Sequence, residues 1–137
     1  MSVFEDAGEV YAYIGKMFEI AVVKPAFVEA TKGTDLVVLL TQTDPSATIL
    51  IDFPGQKVLF GDAAAGVKST VQLRMSSDNA HHFWQGRLNF TLALAQRKVK
   101  LDGKRSLALK LLPLTTPLFD TYKSTLREAG RDDLIVA

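Results

Sequence analysis

Apolar positions change their spacing several times along the chain, and each change marks an element. Val10, Ile14, Met17 and Ala21 recur at helical intervals within residues 4–24, and Pro25 breaks that stripe. A short helical piece through Phe27 and Val28 follows, up to Gly33. Three strand-like runs come next, over residues 36–41, 48–53 and 57–60. The turn dipeptides Asp44-Pro45 and Pro54-Gly55 separate them, which predicts an antiparallel meander. Residues 69–76 alternate cleanly, with Val71, Leu73 and Met75 on one side and Gln72, Arg74 and Ser76 on the other.

After residue 76 the period becomes helical again. Ser77 or Asp78 is the expected N-cap, and Ala80, Phe83 and Trp84 then share one face. Gly86 interrupts, and Asn89 is placed to cap a second helix reaching about Gln96. Val99 and Leu101 alternate with Lys98, Lys100 and Asp102 in a short strand ending at Gly103. A helix from about Arg105 to Leu112 is expected to stop at Pro113. Thr116-Pro117 would open a last helix as N-cap and first residue, with Leu118, Phe119, Tyr122 and Leu126 as its stripe and Gly130 just past its end. Without repeats or linkers, residues 1–137 read as one α+β domain with about five strands, residues 113–137 contributing the extra C-terminal helix.

Composition narrows the functional classes. At 137 residues the chain can bury one good core without staples. Sixteen Lys and Arg against fifteen Asp and Glu leave a net charge of +1, so no global basic field points to nucleic acid. The absence of cysteine removes disulfides, thiolate catalysis and cysteine-ligated zinc. The opening MSVFEDAGEV lacks a secretory signal's basic and apolar regions, and no apolar run approaches the roughly 18 residues of a membrane span. A soluble, cytoplasmic protein is expected.

The chemically conspicuous residues yield little. His81 and His82, the two histidines, are adjacent and therefore about 100° apart on a helix, a poor spacing for one metal. With Ala80, Phe83 and Trp84 inward, His82 is expected in solvent and His81 on the flank, as surface residues of a short helix with no metal. Residues 61–69 (GDAAAGVKS) nearly match a phosphate-binding loop, but Val67 separates the second glycine from Lys68, and a strand rather than a helix follows. Asp52 stands near apolar positions as a conceivable base, yet no oxyanion donor is placed beside it. Arg97, Lys98, Lys100, Lys104, Arg105 and Lys110, opposed locally by Asp102, form either a solvated edge guarded against aggregation or a contact for anionic headgroups.

The most informative segments are apolar on nearly every side. LNFTLALA (residues 88–95) and LALKLLPL (residues 107–114) have only Asn89, Thr91 and Lys110 as polar relief. Helices of this kind must be covered on more than one side, and a small chain with one sheet offers little cover. Dense core burial, self-association or an apolar cavity filled by ligand would each answer that need.

From residue 69 to 112 the chain resembles the sterol carrier protein 2 domain, the non-specific lipid-transfer family. That family follows an alternating strand with a short helix ending in glycine, then Gly-Lys-Met-Asn with an alanine four residues later. Gly-Lys-Leu-Lys-Ile-x-Gly and a helix with Leu-Ala-x-Lys-Leu come next. Here the chain reads Gly86-Arg87-Leu88-Asn89, Ala93, Arg97-Lys98-Val99-Lys100-Leu101-Asp102-Gly103 and Leu107-Ala108-Leu109-Lys110-Leu111, without gaps. Arg97 stands where the family has glycine, so the turn must reach its left-handed position another way or avoid it. The final Leu-Ile-Val-Ala is not a Ser-Lys-Leu-type tail, so peroxisomal delivery is not expected.

The resemblance implies a five-stranded, mostly antiparallel sheet with helices on one face, enclosing an apolar tunnel for a fatty acyl, acyl-CoA, sterol or phospholipid ligand. It implies carriage or presentation of lipid, without catalysis and without a cofactor. The expected wall residues are Leu73, Met75, Phe83, Trp84, Leu88, Phe90, Leu94, Leu112 and Phe119. Lys98, Lys100, Lys104 and Arg105 are the expected contacts to an anionic headgroup or membrane surface. Two alternatives stay open: an accessory or homodimeric subunit whose apolar helices form an interface, and a small enzyme using Asp52 with Tyr122.

Overall fold

The computed structural model describes residues 3–135, so Val136 and Ala137 of the Leu-Ile-Val-Ala end lie outside the described residues. Five strands form one mixed sheet in the order β3-β2-β1-β4-β5, with β1 at Val37–Thr43, β2 at Ala47–Asp52, β3 at Lys57–Phe60, β4 at Val71–Ser76 and β5 at Val99–Gly103. The meander forms as expected: β1 and β2 run antiparallel with Val38 opposite Ile51, and β2 and β3 with Ile49 opposite Phe60. β4 returns beside β1 in parallel, setting Leu73 against Leu40, and β5 closes the edge antiparallel with Val99 opposite Met75. Because side chains alternate across a strand, these registers collect Val38, Leu40, Ile49, Ile51, Val71, Leu73 and Met75 on one buried face.

Helices cover that face. The N-terminal stripe forms α1 (Ala7–Val10), a π-helical stretch (Tyr11–Gly15) and α2 (Lys16–Ala21), and Pro25 opens α3 (Pro25–Thr31). Val10, Ile14, Met17 and Ala21 are all fully buried. A single turn, α4 (Asp62–Ala65), lies between β3 and β4 in sequence and contacts β2 and β3.

α5 (Ser77–Phe83) follows β4 directly, and its N-cap is Ser76, one residue earlier than expected, accepting from the Asn79 N–H at 3.0 Å. Ser77 is unavailable as a cap because its hydroxyl donates inward to Gln42 Oε1 and the Pro45 carbonyl. Asn89 caps α6 (Phe90–Ala95) by accepting from the Leu92 N–H at 2.9 Å.

The expected stop at Pro113 does not occur. α7 runs unbroken through Arg105–Glu128, with Pro113 and Pro117 inside it. Pro113 and Pro117 have no N–H to donate, which frees the carbonyls of Leu109 and Pro113 respectively. Both prolines and both of those residues are exposed, so water can take the freed carbonyls while the opposite face stays packed. Thr115 and Thr121 hydroxyls also donate to the carbonyls of Leu112 and Pro117. Gly130, at φ +73°, ends the helix as expected.

Candidate functional site

Gly86 shapes the first feature. It ends the α5 segment at φ +75°, and a Cβ there would stand 3.1 Å from the Phe119 ring. The close approach lets the chain fold back against α7, leaving a cleft of about 310 Å³ lined by Phe83, Leu88, Phe90, Leu112 and Phe119, with Asn89, Thr91 and Thr115 as polar members. Directly behind it, Phe18, Val38, Leu40, Ile51, Phe53, Leu73, Trp84 and Leu111 surround an apolar void too narrow for a water molecule. Consecutive residues line the two spaces: Leu111 the void and Leu112 the cleft, and likewise one aromatic pair. Phe83 lines the cleft, Trp84 lines the void, and their rings stack 4.6 Å apart at 19°. Phe18 stands edge-to-face with Trp84 at 5.1 Å.

A second concavity, of about 470 Å³, opens where α6 meets β5 and the start of α7. Leu94, Val99 and Leu101 form its apolar part, and Arg97, Lys100, Arg105 and Asp102 its charged part. Arg97 itself takes the left-handed conformation, at φ +60°, where the family has glycine. Its N–H and that of Lys98 donate back to Leu94 and Ala93, so α6 closes normally around a conformation that a Cβ disfavours.

The expected wall residues thus divide. Phe83, Leu88, Phe90, Leu112 and Phe119 share the cleft, Leu73 and Trp84 the inner void, Leu94 the basic concavity, and Met75 lies in the packed core. Of the expected headgroup contacts, Lys100 and Arg105 line the basic concavity, Lys98 is exposed outside its lining, and Lys104 pairs with Asp35 at 3.3 Å on the surface. Sequence reasoning missed Phe18, Val38, Leu40, Ile51, Phe53 and Leu111 as void residues. Their helical and strand periodicity marked them as apolar, but not which faces would meet.

His81 is not a surface residue. It is 2% exposed, with Nδ1 2.8 Å from the Tyr122 hydroxyl and Nε2 2.8 Å from the Leu134 carbonyl. A carbonyl only accepts, so the 2.8 Å contact to Leu134 favours the proton on Nε2, with Nδ1 accepting from Tyr122. The Gln85 amide nitrogen, 3.0 Å from Nε2, also donates to the Leu134 carbonyl at 3.2 Å. Burial pushes His81 below the ordinary histidine value, while the bond to Leu134 pulls the other way. Burial also pushes the Tyr122 hydroxyl well above the usual phenol range. The expectation failed because the flank opposite Phe83 is covered by distant parts of the chain: Phe4 edge-on at 5.4 Å, Tyr122, and the segment at Leu134.

His82 is half-buried, with Nδ1 2.8 Å from the Asp78 carbonyl. Among the described residues no three His, Asp or Glu side chains converge as a metal site. Asp52 accepts the Gly55 N–H at 2.8 Å within the β2–β3 turn, and Tyr122 is held by His81, so each is engaged in a separate local contact.

A mixed sheet of this order, with helices on one face and apolar space under them, defines a sterol-carrier-like fold. The SCP-2 sterol transfer family matches residues 20–115, and the chain belongs to that family. No curated protein sequence matches it. The solution structure of sterol carrier protein domain 2 of Helicoverpa armigera is similar, at 20% identity and a TM-score of 0.67 over 88% of this chain and 95% of that one. Sterol carrier protein 2 of Aedes aegypti in complex with palmitate is similar at 24% identity and a TM-score of 0.54, over 80% and 93%. A stereoselective inverting sec-alkylsulfatase of Pseudomonas sp. shares the fold at 18% identity and a TM-score of 0.52, over 65% of this chain but 14% of the enzyme. Among the described residues, no helix is long and apolar enough to cross a membrane.

Proposed function

We propose that this protein binds one lipid, with an acyl chain or a sterol-like body, and carries or presents it without chemical change. The observation that carries this reading is the apolar cleft between α5–α6 and α7 together with an apolar void, the cleft lined by Phe83 and the void by the Trp84 ring stacked on it. Movement of Phe83 and Trp84 would join the two into the tunnel that a long ligand needs. Each buried CH₂ contributes roughly 0.8 kcal/mol before association costs, ample for micromolar binding. The palmitate complex of the Aedes aegypti relative supports a fatty acyl ligand. Arg97, Lys100 and Arg105, on the concavity at the other end of α6, suit the phosphate or carboxylate of an anionic lipid head.

Titration with a fluorescent fatty acid tests the proposal. Saturable binding at micromolar ligand, with a change in Trp84 emission, is expected, and a flat titration overturns it. A second reading rests on Leu92 and Leu109, which are 54% and 65% exposed on α6 and α7. They would form an interface with another copy of the chain. Sedimentation of lipid-free protein separates the two: a dimer that binds no fatty acid favours the interface, and a monomer that binds favours the carrier.

A further inference from the structure

We infer that the Trp84 indole N–H is the polar anchor of the lipid site, and that it selects a neutral oxygen acceptor such as a carbonyl, ester or hydroxyl. The inference rests on the carrier reading and adds the chemistry of the ligand's inner end. Trp84 is 1% exposed, yet its Nε1 has no hydrogen-bond partner, a state that buried donors seldom keep. Gln42 Nε2 is the other unpartnered buried side-chain atom among the described residues, but Gln42 does not line the void. Trp84 does. The void that Trp84 lines is too narrow for water and Nε1 itself is buried, so solvent supplies no acceptor. Phe18 offers Trp84 an aromatic ring, edge-to-face, and a ring face is a far weaker acceptor than an oxygen lone pair.

The rest of the wall sets the charge of that oxygen. Phe18, Val38, Leu40, Ile51, Phe53, Leu73 and Leu111 supply only hydrocarbon and no cation. An ionised carboxylate drawn inside would be desolvated with one neutral donor for company, a strongly unfavourable state. A ketone, ester or alcohol oxygen loses much less solvation and gains the indole N–H. Access runs through Phe83, whose displacement from the Trp84 face joins the void to the cleft. The neutral oxygen then lies innermost and the hydrocarbon extends outward past Leu88, Phe90 and Phe119. An anionic head stays outside, at the basic concavity.

A matched pair of ligands, tridecane and 2-tridecanone, tests this in the intact protein. Trp84 is the only tryptophan, so its indole ¹⁵N–¹H signal is unique. The ketone should move the indole proton downfield and the alkane should leave it near its ligand-free position. In Trp84→Phe, which keeps a ring but loses the N–H, affinity for the ketone should fall about fivefold relative to the alkane, both measured by displacement of the fluorescent fatty acid. Equal indole shifts with both ligands, or equal affinity changes in Trp84→Phe, overturn the anchor and leave the carrier reading standing. Failure of both ligands and the fluorescent fatty acid to bind the wild-type protein overturns both. The indole signal is read on the wild-type chain, so the result does not depend on the variant folding.

Discussion

The two halves of α7 obey the same helical period but end in different states. In the C-terminal half, Leu118, Tyr122 and Leu126 are all 0% exposed. In the N-terminal half the inward residues Leu107, Ala108, Leu111 and Leu114 keep 5–9% exposure, and Leu109 and Leu112 face outward at 65% and 38%. The difference lies in what covers each half. α7 as a whole packs on α2, the π-helical stretch and β4, and in its C-terminal half Tyr122 meets His81, which also holds the chain end at Leu134. In its N-terminal half Leu111 lines the void and Leu112 the cleft, which Phe90 of the six-residue α6 also lines. One helix thus carries a finished core at one end and unfinished apolar surface at the other. Of the outward leucines Leu112 lines the cleft and Leu109 does not, and Phe119 joins the cleft from the C-terminal half.

Truncating each half sharpens the contrast most strongly. Leu118→Ala should cost about 2–5 kcal/mol of stability, because a closed site cannot collapse around the missing atoms. Leu112→Ala should stay within about 1 kcal/mol, as befits a partly exposed side chain, yet weaken fatty-acid binding severalfold. Urea unfolding and the fluorescent titration read both effects. If Leu112→Ala unfolds the protein as readily as Leu118→Ala, the two halves are equally structural and the distinction fails.

A smaller effect belongs to the closed half alone. His81→Ala removes the acceptor of the Tyr122 hydroxyl and the donor to Leu134, for a loss of about 1–3 kcal/mol at neutral pH. The wild-type protein should also lose stability as pH falls. The folded-state pKa of His81 lies below its ordinary 6.5, with burial the largest cause. Above that value both states are neutral at this site and its stabilising contribution is complete. Below it the unfolded chain takes up the proton first, so stability declines as pH drops from about 6.5 towards the folded-state pKa. Tyr122, His82, Asp78 and the Leu134 carbonyl face or act on this ring, and Asp78 opposes the burial effect while His82 reinforces it. Denaturant midpoints between pH 7.5 and about 5 should slope in the wild type and flatten in His81→Ala; parallel slopes would show another group is responsible.

Whatever depended on neighbours along the chain is legible in the sequence. The β1–β2–β3 meander follows from alternation and turn dipeptides, and Asn89 is an N-cap because its side chain reaches an N–H three residues away. Whatever depended on distant cover is not. Pro113 looks like a helix stop until the packed face of α7 outweighs one missing donor on its wet face. His81 looks like a flank residue until Phe4, Tyr122 and Leu134 arrive from both chain ends. The site divides the same way. Phe83 and Trp84 are recognisable as inward-facing from the helical period. That they would stand stacked, one lining a cleft and one a narrow apolar void, depends on where α2, β1, β2 and α7 come together.

The smallest expected effect concerns Arg97, at the open end. A Cβ-bearing residue at φ +60° carries a steric cost that glycine avoids. Arg97→Gly should therefore raise stability by about 1 kcal/mol, whereas Arg97→Ala, which keeps the Cβ, should give no such gain. Both variants remove one of three cations from the basic concavity. Both should weaken binding of an anionic-headed lipid about two- to threefold at low salt, with the difference from wild type shrinking as ionic strength rises. Comparing glycine with alanine isolates the backbone from the charge. If the anionic lipid binds equally well to all three proteins, Arg97 is strained with no return in headgroup recognition. If glycine and alanine lose the same affinity while only glycine gains stability, the open end trades backbone comfort for positive charge beside the apolar cleft.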